Sequence, residues 1–337
     1  MIDFVPFSDK KKEQKDLKPI INIPLGLWSF DKAFAGYQGK VGLPLDAFVE
    51  VSGRTSTGKS TLIYSLAGLF SIKLNNKTIA MVDLEGFDPN HMSTILQSTG
   101  YAGNVKLCTA PTDEKSLDNL VEAMFDGAQI GFLDSIGAIS PLGEKEGEIG
   151  ESNMGQRAKR LAQLSRKGVH MMNNTKEPRI IWLNNHLNAN LSGRGSITPG
   201  GETKNYISTV QIRLSRKEEF LDGSYVLEGK VTKNRYGYKN RIFHLFILSG
   251  FGIHHGLSAM WDGMLAGKVT RNAGGISIGD EKYGRLSRIV KQESRKEDQS
   301  FFTPFHELLK GTTDADNTDF ESERDTDGSS QDTEVSD

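Results

Sequence analysis

The chain has 337 residues, 25% of them charged, with 41 Lys and Arg against 43 Asp and Glu; that length implies about two structural units with a sizeable core and excludes a peptide or minimal module. Its single cysteine, Cys108, excludes an intrachain disulfide and a Cys-based zinc cluster and fits a reducing cytoplasm. No apolar run approaches the ~18 residues of a membrane span, and the charged N-terminus lacks the apolar stretch of a signal peptide, so neither membrane insertion nor export is expected.

The near-balanced charge is the sum of two opposed regions. Residues 311–337 hold ten acids and one base, a net of −9, while the first 310 residues carry a net of +7. The average argues against a nucleic-acid binder. The asymmetry instead fits a basic body that meets a polyanion, beside an acidic tail that either screens it or only solubilises the chain.

Taken in chain order, residues 1–23 read as a charged arm, flexible or partner-docking, and a candidate polymerisation element. Apolar, β-branched runs at 48–51, 79–82, 130–133 and 180–183 alternate with helical patterns such as 61–74 and 117–125. That alternation predicts an α/β fold, a mainly parallel sheet with helices on both faces. Runs at 210–214, 225–231 and 242–248, separated by turn signals at Asp222-Gly223 and Tyr236-Gly237, predict antiparallel strands extending the sheet, so that a core spanning 24–250 ends near Gly250. Residues 251–310, with Gly274-Gly275 and the basic run Arg285, Arg288, Lys291, Arg295 and Lys296, read as a small C-terminal subdomain. Residues 311–337, rich in Asp, Thr and Ser, bury too little surface to offset their ordering entropy and are expected to be disordered.

The most informative segment is Gly53-Arg54-Thr55-Ser56-Thr57-Gly58-Lys59-Ser60, which fits G-x-x-x-x-G-K-[ST] between an apolar strand and a helical pattern opening at Thr61. Glycines let successive N–H groups point at phosphate oxygens, the helix N-terminus adds positive potential, Lys59 reaches the β- and γ-phosphates, and Ser60 ligates Mg²⁺. The expected ligands are therefore a nucleoside triphosphate and Mg²⁺. Such a site needs a second acid for the metal and a group to position water. Asp134, ending the strand at 130–133, is the candidate for the first, and Asp83 or Glu85, ending the strand at 79–82, for the second, since the carboxyl ends of parallel strands converge on the ligand. Each could instead be a carboxylate capping a loop.

In order and spacing these residues resemble the RecA-type recombinases of bacteria and some phages. Val82-Asp-Leu-Glu85-Gly-Phe-Asp88-Pro89 is similar to the family segment bearing the catalytic glutamate, and Leu133-Asp134-Ser135 to its Walker B strand. Glu146-Gly-Glu-Ile-Gly-Glu-Ser-Asn-Met-Gly155 resembles the first DNA-binding loop, Asn185-His186 the polar switch, and residues 187–201, ending Thr-Pro-Gly-Gly, the second DNA-binding loop. The similarity runs from about 24 to 248 and weakly on to about 284.

The resemblance implies a RecA-like P-loop ATPase core in which Lys59 and Ser60 bind phosphates and metal, Asp134 supports Mg²⁺, Glu85 activates water, His186 contacts the γ-phosphate, and Asp88 and His91 lie by adenine. Lys233 and Arg235, in Val231-Thr-Lys-Asn-Arg235, match the basic pair that reaches the nucleotide of the neighbouring subunit. Met154 would wedge between stacked bases, and Arg157, Lys159, Arg166, Arg194 and the amides of Gly200 and Gly201 would hold phosphates. His186 stands where bacterial RecA has glutamine, His91 where it has tyrosine, and Asn205, beside Tyr206, where it has lysine. The implied function is a DNA-dependent ATPase, hydrolysing ATP to ADP and phosphate, that assembles a homo-oligomeric helical filament on single-stranded DNA and pairs it with homologous duplex DNA in recombinational repair. It would act in the cytoplasm of a bacterial or phage-infected cell, with a single-strand-binding or loader protein as a further partner. The alternatives are a ring helicase or DNA motor, which the first loop disfavours, and a non-catalytic ATP-gated adaptor, against which the retained Lys59, Glu85, Asp134, Lys233 and Arg235 argue.

Overall fold

The structure, a computed structural model, describes residues 20–36, 39–75, 77–86, 88–108, 110, 112–140, 156–189, 196–197 and 203–310, with only the backbone at 156, 157, 188, 189, 196, 197, 203 and 204. Residues 1–19 of the expected arm at 1–23 and the acidic segment 311–337 lie outside the described residues, so the expectations placed on them stand as such; the arm's end, Asn22–Ile23, is a short strand paired antiparallel with Leu43–Pro44.

One nine-stranded sheet organises the chain. Its strands are β1 (Ala47–Gly53), β2 (Ile79–Asp83), β3 (Val105–Leu107), β4 (Ile130–Asp134), β5 (Ile180–His186), β6 (Val210–Glu219), β7 (Tyr225–Asn234), β8 (Ile242–Leu248) and β9 (Gly252–Ile253), in the order β9-β8-β7-β6-β1-β5-β4-β2-β3. From β6 through β3 every neighbouring pair is parallel, and β7, β8 and β9 extend the sheet antiparallel. The run at 210–214, expected to open the antiparallel extension, is instead the last parallel strand, paired Val210↔Val49 through Leu214↔Gly53. A crossover through a short helix delivers it to β1, and the first hairpin turn, at Asp222-Gly223, comes only after it. The sheet also outlasts the expected end at Gly250, because β9 pairs Ile253 with Ile247.

Helices α1 (Trp28–Ala33), α2 (Lys59–Lys73), α3 (Pro89–Ser98), α4 (Asp113–Phe125), α5 (Gln156–Asn174), α6 (Thr203–Ile207), α7 (His255–Leu265), α8 (Leu286–Lys291) and α9 (Thr303–Leu309) surround it. Successive strand residues point to opposite faces, so each continuous apolar run feeds two cores. Val49, Val51, Met81, Phe132 and Trp182 pack against Leu62, Leu66 and Phe70 of α2 and Ile95 of α3. Their neighbours Phe48, Ala80, Val82, Leu133 and Ile181 pack with Leu120 and Met124 of α4 and Leu161, Leu164 and Met171 of α5. β3 has no such burial: Val105 is half-buried, Lys106 and Leu107 are exposed, and it forms the sheet's short parallel edge. No described helix is long and apolar enough to cross a membrane.

The last described residues build around Leu257, Met260, Ile289, Phe302 and Phe305, which pack onto Val226 of β7 and Phe246 and Leu248 of β8. A three-stranded antiparallel meander, β10 (Thr270–Asn272), β11 (Gly275–Ile278) and β12 (Glu281–Gly284), lies among them. Asp262 of α7 ties this layer to α1 by accepting a hydrogen bond from the Ser29 N–H at 3.1 Å. Its Oδ1 is buried without a partner among the described residues. Burial pushes the Asp262 carboxyl up to about 7, against the pull of the Ser29 bonds. The folded state thus holds this proton more tightly than the unfolded chain does. The resulting stability is full below the ordinary carboxylate range and is lost as pH rises toward 7. Asp262→Asn, an isostere of the protonated form, is expected to raise Tm by ~5 °C at pH 8 and to leave it near wild type at pH 4; thermal melts at the two pH values check this.

Candidate active site

β1 ends at Gly53, α2 opens at Lys59, and the loop between them turns through Ser56 at φ 62° and Gly58 at φ 94°. Both are left-handed, and at Gly58 no side chain fits, because a Cβ would overlap the Tyr225 hydroxyl. The first helical bond runs from the Leu62 N–H to the Gly58 carbonyl, so the amides before it have no partner within α2 and point outward at the helix N-terminus. Lys59 is buried, its Nζ donating to the carbonyls of Gly53 (3.2 Å) and Arg54 (3.1 Å). Burial holds its ammonium below the usual lysine range, opposed by the charges of Asp134 and Glu85. Gly58→Ala is expected to weaken ATP binding at least ~10-fold, since the loop must move away from Tyr225 and abandon its φ; titration calorimetry with ATP checks it.

Two carboxylates close strands β2 and β4 opposite one another, in the register Asp83↔Asp134. Asp134 is buried, with its Oδ2 accepting from the Ser60 hydroxyl (2.9 Å) and its Oδ1 from the Asn184 side chain (2.6 Å). Burial pushes its carboxyl up and the Ser60 bond pulls it back down, while Glu85 adds a repulsive charge. The Ser60 hydroxyl and Asp134 carboxylate are hard oxygen donors of the kind Mg²⁺ accepts from protein when phosphates and water complete its shell. Asp83 and Glu85 separate by role. Asp83 Oδ1 accepts from the N–H groups of Glu85 and Gly86, both at 3.2 Å, and so fastens the turn. That turn sends Glu85 into the cleft, where its Oε1 accepts from the Ser135 hydroxyl and from His186 Nε2 at 2.8 Å. Burial alone would raise the Glu85 carboxyl; Ser135, His186 and Lys59 outweigh it and hold the group below the usual range. An ionised carboxylate only accepts, so the His186 proton sits on Nε2.

Lys59, Ser60, Glu85 and His186 share a cleft of about 420 Å³, which Asp134 meets through its bonds to the lining residues Ser60 and Asn184. Thr55, Ser56, Gly58, Lys59, Ser60, Thr61, Glu85, His91 and His186 line it, joined by Asn184, Arg216, Tyr225, Ser249 and Gly250. His91 stands at its rim, with Nε2 3.2 Å from the Thr61 hydroxyl and its ring edge-on to Tyr64. Asp88 is not among the lining residues; its carboxylate caps α3 by accepting from the Asn90 N–H at 2.9 Å.

Lys233 and Arg235 are also absent from their own chain's cleft. They follow β7 away from it, and their side chains donate to the carbonyls of Asn205 and Tyr206 on α6, the latter at 3.0 Å. Burial holds Lys233 below the usual lysine range and the charge of Arg235 adds to this, with Glu50 opposing. A polar chain, buried at Glu50 and Asn185 and exposed at Asn205, connects this end to the cleft. Glu50 of β1 accepts from the side chains of Asn185 (2.7 Å) and Gln211 (2.8 Å), and Gln211 also donates to Asn205 Oδ1 at 3.0 Å.

On the side expected to meet DNA, Lys159 and Arg166 are exposed on α5, while Arg160 pairs with Glu114 at 3.1 Å and Lys167 with Asp118. Arg157 is the second residue of α5, with only its backbone described; Met154, Arg194, Gly200 and Gly201 lie outside the described residues. Strands Asn188–Ala189 and Ser196–Ile197 pair antiparallel within the second loop segment. Sequence reasoning missed Asn184, Arg216 and Tyr225 as cleft residues. For Asn184 the signal was its place at the carboxyl end of a buried strand. For Tyr225 and Arg216, remote in sequence from the phosphate loop, none was available.

Residues 10–254 match the family model described as the RecA N-terminal domain. Similar proteins include Protein RecA of Enterococcus mundtii, 29% identical over 256 residues that cover 73% of this chain and 70% of that protein. Another is Protein RecA of Listeria monocytogenes serotype 4a, 30% identical over 265 residues that cover 75% and 74%. With this match over most of its length and a phosphate loop set in a parallel, helix-covered sheet, the chain belongs to the RecA family.

Proposed function

We propose that the chain is an ATP-dependent recombinase, which assembles a filament on single-stranded DNA, hydrolyses ATP there, and pairs the bound strand with homologous duplex. The observation that carries this reading is the Glu85 carboxylate, bonded by Ser135 and His186 in the cleft that Lys59 and Ser60 also line. Ser135 and His186 both bond Oε1, so Oε2 is the oxygen placed to accept a proton from water, with no partner among the described residues. Loop amides and Lys59 would bind the phosphates. Ser60 and Asp134 would hold Mg²⁺, which would neutralise phosphate charge. His186, donating to Glu85 through Nε2, is placed to feel whether a γ-phosphate competes for that donor, and Asn185, Glu50 and Gln211 link its strand to α6 at the end of the second loop.

Lys233 and Arg235 do not reach their own cleft, which fits a role at the nucleotide of an adjacent subunit, so hydrolysis would require assembly. The exposed Lys159 and Arg166 on α5 and the segments 146–155 and 187–201 would supply sequence-tolerant contacts to the DNA backbone. Electron microscopy of the protein with ATP and single-stranded DNA tests assembly: continuous helical filaments are expected, and closed rings with or without DNA would point to a motor instead.

A further inference from the structure

The strand-side wall of the cleft carries a cation to which nothing above assigns a role. Arg216 lies on β6 beyond the last residue paired with β1, where a register shift between Arg216 and Glu218 marks a bulge. Bulges of this kind re-aim side chains beside active sites. Here the guanidinium lines the cleft and lies over the Tyr225 ring, 4.1 Å from Cζ to the ring centroid. Tyr225 is itself buried, and its hydroxyl occupies the space above Gly58 that a Cβ would need. Contact therefore runs from Arg216 through Tyr225 to the phosphate loop at the turn into α2. Nη1 gives a 3.2 Å hydrogen bond to Glu219 Oε1 on the solvent side, and the side chain also hydrogen-bonds Tyr225. A guanidinium has five N–H donors in a rigid fork, and stacking on an aromatic face leaves the edge donors usable.

Which part of a nucleotide this cation meets follows from the loop. The amides around Gly58 cradle the α- and β-phosphates, while the Lys59 side chain and Ser60 serve the β- and γ-phosphates and the metal. We propose that Arg216, seated on Tyr225, is a nucleotide-binding residue in cis that contacts the α- and β-phosphates. The proposal rests on the ATPase reading above and deepens it. Such a contact is the same in ATP and ADP and does not change as the γ-phosphate leaves, so it is uniform binding, felt in KM and not in kcat. This separates Arg216 from Lys233 and Arg235, whose proposed target is the reacting phosphate of a neighbour.

Titration calorimetry of the full chain with ATP and with ADP, without DNA, tests this alongside steady-state hydrolysis with DNA. Arg216→Ala is expected to weaken ATP and ADP alike by about tenfold, the loss of one charge-assisted hydrogen bond, with KM rising and kcat at saturating ATP within about twofold of wild type. Arg216→Lys, which keeps the charge and loses the planar edge, should fall between, and Tyr225→Leu, which removes the platform, should weaken both nucleotides in the same direction. Unchanged affinity for both nucleotides in Arg216→Ala would overturn the proposal. So would a loss confined to ATP with a fall in kcat, which would mark a γ-phosphate contact, or a loss of single-stranded DNA binding alone, which would mark a DNA contact. Wild-type protein binding neither nucleotide would overturn the ATPase reading itself, a result distinct from either.

Discussion

Glu85→Gln is expected to bind ATP and single-stranded DNA as wild type does and to hydrolyse ATP about 10²–10⁴-fold more slowly, the usual contribution of a positioned general base. The amide keeps the shape of the side chain, and its carbonyl oxygen can still accept from Ser135 and His186, so the cleft should stay assembled. What is lost is basicity at the atom facing water. The low-lying acidity of Glu85 sets the pH behaviour. Burial opposes ionisation, but the bonds from Ser135 and His186 and the charge of Lys59 prevail, so the carboxylate persists at pH values below those at which an ordinary glutamate protonates. Asp134 is displaced the other way by burial. A Mg²⁺ ion on Ser60 and Asp134 would favour the ionised Asp134 carboxylate, so the acid limb of kcat should lie below the ordinary glutamate range, and Glu85→Gln should lower the plateau. Single-turnover hydrolysis measured across pH checks both.

Replacing Lys233 and Arg235 together by Ala is expected to lower DNA-stimulated hydrolysis on the order of 10³-fold, as loss of a charge supplied in trans does, while nucleotide affinity of the unassembled protein stays the same. Both side chains also fasten α6 through the carbonyls of Asn205 and Tyr206, so weakened DNA binding could mimic the effect. A mixing experiment distinguishes these. Glu85→Gln subunits keep the basic pair and Lys233→Ala/Arg235→Ala subunits keep the base, so a mixed filament holds some interfaces with every group present. Activity in the mixture that neither variant shows alone supports the trans assignment. A mixture as inactive as its components would place the pair in its own subunit's chemistry or in α6 stability alone.

Where function depends on residues adjacent in sequence, it could be read before the structure. Gly53 through Thr61 carry their own strand, turn and helix start, and Asp134 and Glu85 fall where parallel strands must end. The choice between Asp83 and Glu85 came only from the family resemblance, because from the residues alone it turns on a three-residue turn in which the shorter carboxylate reaches back to the Glu85 and Gly86 amides and the longer one swings into the cleft. The parallel direction of β6 was hidden for a similar reason. Its alternating pattern from Val210 to Leu214 suits either direction, and only its pairing with β1 decides. For Asp88 the resemblance implies a place beside adenine, and its position ahead of Pro89 also marks a helix cap, which its carboxylate makes. Tyr225 over Gly58 and Arg216 over Tyr225 are long-range packings, for which a single chain offers no local pattern.

The most direct measurement is the rate of ATP hydrolysis by the intact chain at low salt, with and without single-stranded DNA. A low rate alone and a strong rise on adding DNA are expected if, as proposed, a neighbouring subunit's Lys233 and Arg235 complete each cleft. A rate that DNA leaves unchanged would contradict that proposal.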